Sequence, residues 1–142
     1  MKKEKILISA CLVGLNCKYD GGNNETPKLI ELMKKYDFIP VCPEQLGGLK
    51  TPRPGAERKK DKVMTKDGID VTKEFQKGAE EVLRLAKKLG VKKAILKSRS
   101  PSCGCGEIED GTFTHHMTEG DGVTTELLKK NGIEIISSDL YL

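Results

Sequence analysis

The chain has 142 residues, 37% of them apolar and 32% charged, which is enough for one domain and too apolar for disorder. A formal charge of +4, no Trp and only 4% aromatic residues argue against a nucleic-acid surface built on stacked bases. Apolar runs are too short to cross a bilayer, and the basic stretch Met1–Lys5 leads to no small-residue cleavage site, so a cytoplasmic protein with no membrane partner is expected.

Residues 5–10 form a continuous apolar run, as a parallel strand covered on both faces requires. Thr26-Pro27 reads as a helix start, with Leu29, Ile30, Met33 and Tyr36 at helical spacing behind it. Phe38–Val41 is the second expected strand. Residues 43–60, broken by Pro43, Pro52 and Pro54 and by glycines, are expected to be irregular. Residues 61–72 read as a β-hairpin, with Val63 and Met64, a turn at Lys66-Asp67-Gly68, then Ile69 and Val71.

The strongest helical stripe is Phe75, Ala79, Val82, Leu83, Ala86 and Leu89, with Thr72 as expected N-cap and Gly90 just past the end. Lys93–Lys97 is a third strand. Residues 98–121 read as one long loop, and a loop of that length in a small domain is usually functional. Val123–Lys130 is a short helix and Ile133–Ile136 a fourth strand. The expected fold is α/β: a single domain over residues 1–142, with a parallel four-stranded sheet flanked by helices and a small β-hairpin insertion.

In such sheets ligands bind beyond the carboxyl ends of the strands. That rule places Cys11, Cys42 and Cys103 on one rim. An odd count of five cysteines in a chain expected in the cytoplasm argues against a disulfide framework. Three readings stay open: a metal or iron–sulfur site, a thiol chemistry site, or small apolar fillers at strand ends. No paired C-x₂-C knuckle marks a structural zinc site. Three separated thiolates suit a cluster with one iron left open.

Cys103-Gly104-Cys105 reads either as a labile thiol pair or as one ligand and one bystander, and Cys17 as a fourth ligand or a loop thiol. Glu44, two residues after Cys42, is a candidate proton carrier or a solvated acid. Ser100 and Ser102 are candidates to hold substrate or to cap the next segment. Arg53 and Arg58 are possible anion contacts, more often solvated. The His115-His116 pair lacks a spaced third ligand. Asp20, Asn23 and Asn24 read as turn formers.

Three blocks stand together: Ser9-Ala10-Cys11-Leu12-Val13-Gly14 with Cys17-Lys18-Tyr19-Asp20-Gly21; Val41-Cys42-Pro43-Glu44-Gln45-Leu46-Gly47-Gly48-Leu49 with Thr51-Pro52-Arg53; and Lys97-Ser98-Arg99-Ser100-Pro101-Ser102-Cys103-Gly104. In combination, and over essentially the whole chain, they resemble a small bacterial and archaeal family long catalogued as a domain of unknown function. Some members of that family are thiouracil desulfidases. The resemblance implies a [4Fe–4S] cluster held by Cys11, Cys42 and Cys103, with Glu44 and Ser100 near the open iron. It implies non-redox hydrolysis of a C–S bond in a small thiolated heterocycle such as thiouracil, releasing sulfide. A sulfur transferase working through the cluster or a Cys105 persulfide, and a non-catalytic iron–sulfur or zinc module, are the competing readings.

Overall fold

A computed structural model describes residues 2–141. Four strands form its central sheet: β1 (Glu4–Ser9), β2 (Tyr36–Val41), β5 (Lys93–Leu96) and β8 (Glu134–Ser137). Their order is β2-β1-β5-β8, and every pairing is parallel. Side chains alternate across this sheet. Leu7, Ala94 and Leu96 point into a core with Val82, Ala86 and Leu128, while Ile6, Ile8 and Ile95 point into a second core with Leu12 and Leu29. Both faces are thus buried, which is why these strands read as continuous apolar runs.

The first core is covered by α3 (Thr72–Leu89) and α4 (Val123–Lys130). The second is covered by α1 (Pro27–Glu31) and by a 3-10 turn at Ala10–Val13. Gly90 ends α3 at φ +68 and donates its N–H to Lys87, the left-handed stop expected there. Thr72 is not the cap of that helix. Its hydroxyl accepts the Val63 N–H at 2.9 Å, and the Asp70 carboxylate accepts the Thr72 N–H at 2.9 Å instead. Among the described residues no helix is long and apolar enough to cross a membrane.

The irregular stretches hold more structure than their composition implies. The hairpin insertion is present but begins one strand earlier than expected: β3 (Ala56–Lys59) pairs with β4 (Lys62–Thr65) around Lys60-Asp61. The expected return strand survives only as a Met64–Asp70 bridge with flanking hydrogen bonds. Within 43–60 a short helix α2 (Pro43–Leu46) also forms, and within 98–121 β6 (Glu107–Glu109) pairs with β7 (Met117–Glu119). These elements are three or four residues long, too short for periodicity to reveal.

β1 leads to β2 on one side, and β5 leads to β8 on the other. The strand order therefore reverses between β1 and β5, where a crevice opens at the carboxyl ends. The Ser9 hydroxyl accepts the Lys97 N–H at 2.9 Å and ties the two diverging strand ends together.

Candidate active site

A cavity of about 600 Å³ lies at this switch point. Cys11 enters it from the 3-10 turn that follows β1, and Gly14 at φ +96 lets the chain leave that turn. Asn24 fastens the turn twice. Its N–H donates to the Cys11 carbonyl at 2.9 Å, and its side-chain amide lies 3.4 Å from the Cys11 sulfur. Asp20 and Asn23 are turn formers as expected, accepting the N–H groups of Gly22 and Glu25.

Cys42 is the N-cap of α2, with Pro43 at the first helical position. Glu44 follows in the first turn and faces the cavity. The placement of α2 depends on two glycines. A Cβ on Gly47 would collide with the Glu74 carbonyl, and one on Gly78 with the Pro43 carbonyl, so α2 and α3 meet backbone to backbone. The Cys42–Glu44 turn is set by that close approach.

Cys103 and the two serines lie on a tight turn after β5. The Ser100 hydroxyl accepts the N–H groups of Ser102 at 3.1 Å and Cys103 at 3.0 Å. The first amides of α4 then donate to the carbonyls of Pro101 and Ser102, and the Thr125 hydroxyl donates to the Cys103 carbonyl. A side chain at Gly122 would strike Ser102, so α4 also packs directly on this turn.

Glu44 is not a solvated acid. The Arg53 guanidinium donates to its Oε1 at 3.0 Å, and the Ser102 hydroxyl donates to its Oε2 at 3.1 Å. Ser102 is 2% exposed and lies 3.0 Å from the Ser100 hydroxyl. A continuous chain of polar groups therefore runs Ser100–Ser102–Glu44–Arg53. Both serines line the cavity, and Ser102 is the one that reaches the carboxylate. Arg53 is not a free anion contact, because it also donates to the Cys17 carbonyl at 2.9 Å and the Thr51 hydroxyl at 2.8 Å. Arg58 is likewise committed, to the Asp121 carbonyl and to Glu126.

Cys17 joins Cys11 and Cys42 in the cavity. The Cys17 thiol beside it is the largest influence on Cys11, and with Asn24 and Lys97 it brings that thiol down to about 7 against the cost of burial. The same neighbour, with the Gln45 N–H and the Arg53 charge, brings Cys42 down to about 6. Cys17, beside both thiols, is pushed up by them and by burial. Burial pushes Cys103 up to about 12, opposed by hydrogen bonds from Ser9 and Ser102. Lys97 also lines the cavity, and burial lowers its pKa.

Two candidates separate from this group. Cys105 does not line the cavity; its neighbour is Lys129, which pairs with Asp121. His116 hydrogen-bonds Thr114 on the surface, while His115 alone contributes to the cavity lining. The sequence reading missed the pairing of Arg53 with Glu44 and did not consider Glu57 or Lys97 as part of the site. No local spacing announces them, since the loop between Glu44 and Arg53 is irregular.

All five cysteines are free thiols, and Cys11, Cys17, Cys42 and Cys103 face the same cavity. Among the described residues no group of three or more His, Cys, Asp or Glu side chains is placed to hold a metal ion. Four thiols facing one cavity are soft donors of the kind that hold an iron–sulfur cluster, whose ligands sit on different irons. The donor set fits such a cluster.

The chain is 39% identical over 144 residues to the uncharacterized protein YbbK of Bacillus subtilis (strain 168), covering 94% of this chain and 95% of that protein. It superposes on the solved structure of a [4Fe-4S]-dependent thiouracil desulfidase, TudS, with a TM-score of 0.91 and 45% identity, covering 96% of this chain and 92% of that one. The family profile described as 2-thiouracil desulfurase matches residues 6–139. With that match spanning the sheet, the cysteine rim and the Glu44 turn alike, the chain belongs to the 2-thiouracil desulfurase family.

Proposed function

We propose that this protein is an iron–sulfur-dependent desulfidase that hydrolyses the C–S bond of a small thiolated nucleobase such as thiouracil, giving uracil and hydrosulfide without net redox change. The observation that carries the reading is the meeting, in one cavity, of a soft-donor cysteine rim with the Ser100–Ser102–Glu44–Arg53 chain. The whole of residues 1–142 serves as one desulfidase domain. Free cysteines suit the reducing cytoplasm.

Cys11, Cys42 and Cys103 hold the [4Fe–4S] cluster in this reading. A bound cluster with one iron free of protein ligands supplies a soft Lewis acid for a thiocarbonyl sulfur. Glu44, oriented by Arg53, takes a proton from the attacking water at Oε2. Ser102 holds that oxygen in place, and Ser100, bonded to Ser102, continues the chain along which the proton passes toward the leaving sulfur. A second reading of the third ligand has its own observation, since Cys17 faces the same cavity as Cys11 and Cys42, and the Cys42 thiol lies 3.7 Å from the Cys17 carbonyl. Iron content after Cys17→Ser and after Cys103→Ser decides between them.

The test is anaerobic reconstitution followed by incubation with 2-thiouracil and no added acceptor or reductant. Uracil and sulfide in equal amounts are expected. Sulfide release only in the presence of an acceptor would favour the transferase reading. The position of Cys105 outside the cavity stands against that route.

A further inference from the structure

Part of the cavity wall belongs to the segment 110–116, where Phe113 and His115 face the cavity. Both residues have left-handed backbones, at φ +60 and φ +63. Such conformations are costly for side chains of this kind and persist only where the surroundings impose them. The bonds within the segment are local: Asp110 accepts from Thr112, Thr112 meets Thr114, and Thr114 meets His116. Among the described residues, one side chain ties the segment by hydrogen bonds to another element. Glu57, on β3 and 6% exposed, accepts the N–H of Gly111 and that of Phe113 through a single oxygen, each at 3.0 Å.

A buried carboxylate is expensive unless it is well bonded, and two backbone donors on one oxygen form a strong, directional clamp. Gly111 allows the close approach. A Cβ there would press on the Lys59 side chain, at the end of β3. Glu109, also in the cavity wall, lies beside Glu57, and burial together with that neighbour pushes its carboxyl up. Glu57 has no part in the Glu44 chain, so the chemistry described above leaves its burial unexplained.

We propose that Glu57 is a positioning residue for substrate: it latches segment 110–116 so that Phe113 and His115 form a fixed part of the wall that receives the heterocycle. The effect on substrate rests on the desulfidase reading, while the latch itself does not. Losing two charge-assisted hydrogen bonds frees the segment without touching the cysteine rim.

Glu57→Ala, reconstituted anaerobically, is expected to keep wild-type iron content and to raise KM for 2-thiouracil about tenfold, with kcat within a factor of about three. Hydrogen exchange at the amides of 110–116 should accelerate at least roughly tenfold, while β1 and β5 stay protected. Glu57→Gln should fall between the two, because its amide oxygen still accepts both bonds. Unchanged KM and unchanged exchange in Glu57→Ala would overturn the latch, as would equal loss of protection in β1 and β5. Should Glu57→Ala fail to load iron, Glu57→Asp keeps the charge but is one methylene short, and the same two readouts apply. If the wild type releases no sulfide from 2-thiouracil, the desulfidase reading falls, and the exchange measurement still decides the latch.

Discussion

Cys11, Cys42 and Glu44 stand at the ends of β1 and β2, whereas Phe113 and His115 stand on a segment whose bonds are its own plus one carboxylate. The two parts of the cavity wall are therefore held by different means. The first inherits its position from a parallel sheet packed on both faces and from backbone contact between α2 and α3. The second is held by polar bonds at the periphery. The groups proposed to do the chemistry are on the rigid part, and the groups proposed to receive the heterocycle are on the part with the lower cost of opening.

Breaking the rigid part should have the larger consequences. Cys42→Ala is expected to abolish iron binding and, with it, sulfide release; iron at the wild-type level would remove Cys42 from the ligand set. Ser102→Ala deprives the Glu44 carboxylate of a buried donor. Iron content should hold, and the rate should fall by roughly tenfold to a hundredfold, the worth of a hydrogen bond to a charged group. A rate at the wild-type level would make Ser102 a bystander.

Gly78→Ala sharpens the comparison from the side of stability. Its methyl would meet the Pro43 carbonyl, so α2 must shift away from α3. A cost of about 1–3 kcal/mol is expected, seen as a fall of several degrees in the unfolding midpoint. An unchanged midpoint would show that α2 is not held by this contact. The smallest effect belongs to Cys105→Ala, which should alter neither iron content nor turnover, because Cys105 lies outside the cavity. Loss of turnover with iron intact would revive a persulfide on that thiol.

The same division explains what the sequence discloses. The four sheet strands and both longer helices are legible because burial on two faces and an amphipathic stripe leave regular apolar patterns, as in Ile6-Leu7-Ile8 and in Phe75 through Ala86. The strand-end rule then carries Cys11 and Cys42 to one rim without further information. Cys17 was harder to place, since it lies six residues past Cys11 and its return to the cavity depends on turns at Leu15 and Gly21. Glu57 and segment 110–116 were illegible for a different reason. Their elements are three or four residues long, and their bonds join residues more than fifty positions apart, which no periodicity encodes. The hairpin shifted by one strand because Lys66-Asp67-Gly68 carries the stronger turn signal, while Lys60, at φ +56, makes the tighter turn.

Glu44, on the rigid part of the wall, is the group proposed to move the proton. Sulfide release from 2-thiouracil by anaerobically reconstituted Glu44→Gln, with iron counted in the same sample, checks that role. Wild-type iron content and a rate lower by about 10²–10⁴, the range for general acid–base catalysis, are expected. A rate at the wild-type level with iron intact would contradict it.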